Sequence, residues 1–131
     1  MEHFSSEVVW IRAWAQRNNL KTESKKQRSF ECNQLFDCNV SVIPIYFFIP
    51  PKRAAERVLF CERRLKRLFV AMQMESPLPP IDFTLNSAER GIVRDGFHRF
   101  YLSVFFDFDF IPSRKIEFWE PEINSIEVLG I

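Results

Sequence analysis

The residues with the clearest chemical potential lie in one short stretch, Arg94-Asp95-Gly96-Phe97-His98-Arg99-Phe100-Tyr101. Two β-branched residues before it indicate the end of a strand, and the apolar pattern after the glycine predicts a helix over residues 97–106. The first N–H groups of a helix point out of its start, and the helix dipole adds partial positive charge there. Gly96 permits close approach of a ligand, and His98 and Arg99 add side-chain donors. The stretch therefore predicts a site for an anionic group such as a phosphate.

Apolar patterns before this stretch predict the elements that position it. Between residues 53 and 74 apolar residues recur in steps of four and three, which predicts a helix with one buried stripe and an arginine-rich opposite face. Prolines at positions 77, 79 and 80 end that helix. Two short strands over residues 81–85 and 91–94 follow, and the polar residues between them predict a turn.

The remaining pattern predicts elements at both ends of the chain. A helix is expected over about residues 5–17, followed by a mobile connection over residues 21–33, where no apolar period is sustained. A strand is predicted over residues 40–48, and Pro44 in its middle indicates an edge position or a bulge. A last strand is predicted over residues 115–119.

The composition indicates one domain with an aromatic core and little overall charge. The 131 residues are 47% hydrophobic and include 15 phenylalanines but three glycines. Such a chain can bury a substantial core that is rich in rings. Since 18 basic and 17 acidic residues give a net charge of +1, composition alone favours neither nucleic acid nor acidic membranes or substrates. Any electrostatic site must be local.

The three cysteines, Cys32, Cys38 and Cys61, are odd in number and lack Cys-x-x-Cys spacing, so neither a disulfide framework nor a zinc site is predicted. Cys61 falls on the apolar stripe of the predicted long helix and is interpreted as a small core residue. Asp107 and Asp109 alternate with phenylalanines, which is typical of a turn rather than a metal site. Membrane and signal-peptide patterns are not found, and a cytoplasmic protein is expected.

Three motifs, taken in order, resemble the ParB/sulfiredoxin superfamily. They are Leu78-Pro79-Pro80-Ile81-Asp82, Asp95-Gly96-Phe97-His98-Arg99 and Ile111-Pro112, and the resemblance covers roughly residues 40–118. It implies an α+β (α/β-like) single domain with a small mixed sheet flanked by helices. Residues 39–131 would form this domain, and residues 1–38 would add an N-terminal helix and a mobile connection.

The resemblance implies that the second motif binds nucleotide phosphates. ParB-like and sulfiredoxin-like proteins place phosphates at this turn, so Gly96, Phe97, His98 and Arg99 are expected to contact ATP, ADP or CTP. The alternative is that Asp95 caps the helix while His98 and Arg99 make structural hydrogen bonds. Sulfiredoxins carry their reactive cysteine where this chain has Phe97, and a benzyl group is no nucleophile, so sulfiredoxin chemistry is not expected.

Further contacts are implied on the long helix and in the loop before it. Sulfiredoxin-like proteins reach the phosphates with a lysine on this helix, and Arg64 stands nearest to that position; the alternative is a solvated helix face. Related kinases of free serine have a catalytic carboxylate in the loop where this chain has Lys52 and Arg53, which could instead screen phosphate charge. Glu56 and Asp95 are the nearest candidates for a catalytic base and a Mg²⁺ ligand.

Two classes of function therefore stay open. The first is a nucleotide-binding protein, with hydrolysis or phosphoryl transfer as a further step. The second is a non-catalytic regulatory or protein-interaction module on a decayed nucleotide-binding fold. Phe97, the basic loop and the surplus of aromatic residues, which could line an interface, favour the second. The residues after Pro112 are too few for a helix-turn-helix module, so no sequence-specific DNA binding is expected.

Overall fold

The computed structural model describes residues 5–21, 27–33, 39–49 and 61–117, which form three α-helices and a five-stranded mixed sheet. In chain order the elements are α1 (Ser5–Arg17), β1 (Val40–Pro44), a 3₁₀ turn (Ile45–Phe47), β2 (Phe48–Ile49), α2 (Glu62–Gln73), β3 (Ile81–Leu85), β4 (Gly91–Asp95), α3 (Phe97–Phe105) and β5 (Phe110–Lys115). The predicted α+β class with a small mixed sheet is confirmed. Among the described segments, none of the helices combines the length and apolar character needed to cross a bilayer.

The sheet is curled, with the strand order β1-β5-β3-β4-β2. The β1–β5 and β3–β4 pairs are antiparallel, whereas β5–β3 and β4–β2 are parallel. Since β1 and β2 are joined by the three-residue 3₁₀ turn but lie at opposite edges, the sheet must bend until its edges approach each other. Arg90 holds this turn, because its Nε donates to the Phe47 carbonyl at 3.0 Å and its Nη2 to the Tyr46 carbonyl at 2.8 Å.

The single strand predicted over residues 40–48 is therefore two strands. β1 ends at Pro44, which lies in an edge strand as predicted. The chain then turns, and Phe48 begins β2, where it pairs directly with Gly91 of β4. A Cβ on Gly91 would lie 2.6 Å from Cδ1 of Phe48, so the ring packs on bare backbone. The close approach depends on the glycine, since any side chain there would displace the ring.

The core is centred on α3, which packs against α1, α2 and the sheet. Phe100 of α3 meets Phe48 edge to face, with centroids 5.8 Å apart. Phe69 of α2 contacts the rings of Phe105 and Phe106 at 5.7 and 4.9 Å. The predicted ring-rich core is confirmed, and burial on several sides explains why α3 is apolar nearly all round.

The N-terminal helix shares this core. Trp14 of α1 is 1% exposed and meets Phe69 edge-on at 5.8 Å. Phe30 is also buried, and the Leu78 N–H donates to the Glu31 carbonyl at 2.8 Å. A mobile connection was predicted over residues 21–33, but residues 27–33 pack against the domain, so the prediction is wrong for them. Residues 22–26 lie outside the described residues. The domain boundary after residue 38 stays a prediction.

The long helix begins later than predicted. Cys61 has an extended backbone (φ −76°, ψ 109°) and forms the N-cap of α2, so the helix cannot run unbroken from Arg53. Cys61 is exposed, and its interpretation as a core residue is wrong, because it stands before the first helical turn rather than on the buried stripe. Residues 53–60 lie outside the described residues. Of the predicted stripe, Leu65 and Met72 are buried and Leu68 is half-buried, whereas Phe69, which the prediction did not include, is fully buried.

The last strand also lies elsewhere than predicted. β5 spans Phe110–Lys115, whereas the prediction placed a strand over residues 115–119, of which 118 and 119 lie outside the described residues. A proline can lie at position 112 of β5 because the pairing of β5 with β3 begins only at Ser113. At Pro112 the strand therefore pairs with β1 alone. The N–H that proline lacks is not needed for a hydrogen bond to β3.

Candidate functional site

A single residue, Gly96, connects β4 to α3. Its backbone is left-handed (φ 99°, ψ 33°), and it occupies the N-cap position of the helix. A Cβ there would lie 2.8 Å from Cγ2 of Ile81 and 2.8 Å from Nη2 of Arg99. Glycine alone fits both the conformation and the space. The turn aims the positive end of the α3 dipole at the space in front of Phe97.

A pocket of about 280 Å³ lies at this turn. It is lined by Arg64, Leu68, Arg94, Asp95, Gly96, Phe97, His98 and Arg99. The structure thus brings together the predicted residues of the second motif and Arg64 from α2. The other predicted site residues, Lys52, Arg53 and Glu56, lie outside the described residues.

The pocket is electropositive, with three guanidinium groups against the one carboxylate of Asp95 among its lining residues. Burial lowers the pKa of Arg99 from its usual value; Asp95 and Asp82 oppose this decrease, and the like charge of Arg64 adds to it. Arginine remains charged at neutral pH in spite of such a shift. Each of these two carboxylates acts on Arg99 more strongly than Arg64 does, so the main electrostatic cost at Arg99 is its own desolvation, which an anionic ligand would offset.

Among the described residues, Arg99 is anchored by one hydrogen bond, and one of its N–H donors lacks an acceptor. Its Nη2 donates to the Pro80 carbonyl at 3.2 Å, which ties α3 to the proline-rich segment before β3. In the part of the chain that the structure describes, its Nε is buried without a hydrogen-bond partner. A buried, charged N–H group that lacks an acceptor is costly, and such groups commonly mark the place of a ligand or a bound water.

His98 contacts α2 as well as lining the pocket. Its Nε2 accepts the backbone N–H of Cys61 at 3.0 Å, so the ring carries its proton on Nδ1 in this arrangement. The bond joins the start of α3 to the start of α2, the two helix ends that flank the pocket. Structural hydrogen bonds were the alternative role for His98 and Arg99, and both residues make them. Asp95 is not the helix cap, because Gly96 occupies that position.

Arg94 is the lining residue that the sequence prediction did not include as a ligand. Its Nε donates to Oγ1 of Thr84 on the neighbouring strand at 2.9 Å, which orients the guanidinium beside the turn. The available signal is the alternation along β4: Gly91 and Val93 are buried, so Arg94 lies on the opposite face immediately before the glycine turn. Leu68, one turn after Arg64 on α2, supplies an apolar wall.

Comparisons with known proteins support the fold. The chain is similar in structure to sulfiredoxin from Arabidopsis thaliana (TM-score 0.50, 14% identity, 60% of this chain and 85% of that one). It is also similar to the C-terminally truncated chromosome-partitioning protein ParB from Caulobacter crescentus in complex with CTP-gamma-S (TM-score 0.51, 18% identity, 70% of this chain and 53% of that one). No family model matches the sequence, and the search of curated proteins gives no match. The chain has a ParB/sulfiredoxin-like fold, as its three motifs predicted.

Proposed function

We propose that the pocket at the start of α3 binds the phosphates of a nucleotide, ATP, ADP or CTP. The observation that carries the proposal is the convergence of Arg64, Arg94 and Arg99, from three separate elements, on one helix start. Three guanidinium groups converging around a left-handed glycine turn are what a phosphate chain needs, because each can donate paired hydrogen bonds to phosphate oxygens. A ParB of the same fold holds CTP-gamma-S, which favours a nucleotide over an isolated phosphate.

The three arginines of the pocket differ in their exposure. Arg99 is the innermost, and its unused Nε would find an acceptor in a phosphate oxygen. Arg94 is oriented by Thr84, whereas Arg64 stands exposed at the mouth. A ligand would therefore meet Arg64 first, and because Arg64 is exposed, its side chain can adjust without rearrangement of the fold.

Hydrolysis or phosphoryl transfer is a further part of the proposal. Mg²⁺ commonly binds through one or two carboxylates together with substrate phosphates, and Asp95 is the carboxylate that the pocket offers. Bound Mg²⁺ would neutralise charge on the transferred phosphoryl group. Glu56 remains the proposed base.

A non-catalytic regulatory module is the second candidate. Among the lining residues Asp95 alone carries a carboxylate. Phe97, which lacks any reactive group, stands where sulfiredoxins carry their reactive cysteine. Such a protein would bind a nucleotide to stabilise one conformation, and a protein partner would read that conformation. Tyr46, which is 72% exposed, is the aromatic residue best placed for such a contact in the described segments.

Isothermal titration with ATP, ADP and CTP, with and without Mg²⁺, tests the proposal. We expect Arg64→Ala to weaken binding about 10-fold or more, the equivalent of one charge-assisted hydrogen bond. Lys66→Ala is the matched control, because it removes one exposed cation from the same helix without touching the pocket. Absence of binding at millimolar nucleotide, or equal losses in the two variants, would refute the proposal. Turnover that Asp95→Asn abolishes, with binding retained, would decide for an enzyme.

A further inference from the structure

We infer that the pocket continues onto a basic face of α2, and that together they bind a single-stranded nucleic acid whose terminal nucleotide occupies the pocket. The basic face consists of Arg63, Arg64 and Arg67. The inference rests on the proposed function, since it takes the pocket to be a nucleotide site, and it adds the class of ligand. Recognition would be through backbone phosphates and stacking, without reading the base sequence.

The geometry of α2 connects the two parts. Leu65, Phe69 and Met72 are buried and define the inner side of the helix. At 100° per residue, Arg64 lies on the flank that lines the pocket, and Arg67 and Arg63 follow it round onto the outer face. All three arginines are exposed. The cationic surface therefore runs without interruption from the pocket across the first turns of α2.

The concentration of charge is unusual for this chain. The whole sequence has a net charge of +1, but the basic face places three arginines within the first six residues of α2, Glu62–Arg67, where Glu62 is the single anion. Arg63 and Arg67 are separated by one helical turn, as are Arg64 and Arg67, and like charges at these spacings repel. A run of phosphates along the face would reverse this repulsion.

The spacing and the chemistry favour nucleic acid over an acidic protein segment. Arg64 and Arg67 are about 4.5 Å apart along the helix axis, and their long side chains can spread to meet successive phosphates of one extended strand. Phe97 presents a half-buried ring among the lining arginines. An aromatic ring beside a basic groove lets a base stack on it whatever its sequence, whereas the Asp and Glu side chains of an acidic peptide present no π-face.

Fluorescence anisotropy with 5′-phosphorylated, 3′-fluorescein-labelled oligo(dT) of one, four and eight nucleotides tests the inference. We expect the eight-nucleotide strand to bind at least about 10-fold tighter than the mononucleotide at low salt. Arg63→Gln with Arg67→Gln should weaken the eight-nucleotide complex about 10-fold and lower the salt slope by about 1.4, while the mononucleotide affinity stays unchanged.

A matched double variant, Lys66→Gln with Arg17→Gln, removes the same charge from exposed positions off the basic face and should leave binding of both ligands unchanged. Affinity that does not rise with strand length, equal losses in the two double variants, or equal competition by poly-glutamate would overturn this inference alone. If Arg94→Ala left strand binding unchanged and the mononucleotide did not bind, the pocket assignment would be overturned as well.

Discussion

Gly96→Ala tests the turn on which the site depends. A left-handed backbone costs a residue with a Cβ about 1–2 kcal/mol. The new methyl group would also lie 2.8 Å from Cγ2 of Ile81, a fully buried side chain that must move. Overpacking of this kind costs about 1–3 kcal/mol, and the reduced entropy of the unfolded chain returns about 0.4–1 kcal/mol. These effects together span about 1–4.5 kcal/mol, and we expect the free energy of unfolding to fall by about 3 kcal/mol, near the middle of that range.

Urea unfolding and thermal melting measure this loss, which corresponds to a Tm decrease of roughly 8–12 °C. A double-mutant cycle with Ile81→Leu isolates the clash, because leucine lacks the Cγ2 branch that the new methyl group meets. Gly96→Ala should cost about 1 kcal/mol less in the Ile81→Leu background. If Gly96→Ala were as stable as the parent within about 0.5 kcal/mol, the left-handed turn would be wrong, and the pocket built on it would be wrong too.

Three further substitutions test contacts that frame the site. Trp14→Ala should lower the free energy of unfolding by about 3–5 kcal/mol in urea, and a loss below about 1 kcal/mol would contradict the packing of α1 in the core. Arg90→Lys loses the fork that holds the 3₁₀ turn and should cost about 1 kcal/mol, with faster amide exchange at Phe48; unchanged exchange would count against the clamp. His98→Ala should cost about 0.5–1.5 kcal/mol by orphaning the Cys61 N–H, and His98→Gln, which keeps an acceptor, should recover part of it.

Elements with local signals could be predicted from the sequence. The bounds of α1, β3, β4 and α3 agree with the prediction to within about a residue. Each has a cap, a proline or a turn beside it; Asn86, for example, closes the β3–β4 turn by accepting the N–H groups of Ala88 and Arg90. The three motifs also pointed to the fold: the first leads into β3, the second joins β4 to α3, and the third lies within β5.

Features that depend on partners distant in sequence could not be predicted in the same way. Nothing within residues 40–48 tells that β1 and β2 lie at opposite sheet edges, since that depends on where β5 and β4 run. The pairing of β5 with β1 and β3, which places Pro112 in a strand, likewise depends on residues far away in sequence. Cys61 fitted a helical period, but the period cannot tell where the helix starts. Arg94 needed the β4 register before its side could be assigned to the pocket.

The pocket is also where the chain departs from its own packing rules. Elsewhere the core is made of interlocking rings, but here Arg99 is partly buried with one donor unused and Arg64 adds like charge nearby. Burial of a charged group with a donor unsatisfied lowers stability, and local departures of this kind are expected where function requires them. A ligand that binds only the folded state adds RT ln(1 + [L]/Kd) to stability, about 2.7 kcal/mol at a hundredfold excess over Kd. The electrostatic cost at this site therefore originates chiefly in the desolvated cation of Arg99, and the proposed anionic ligand would offset it.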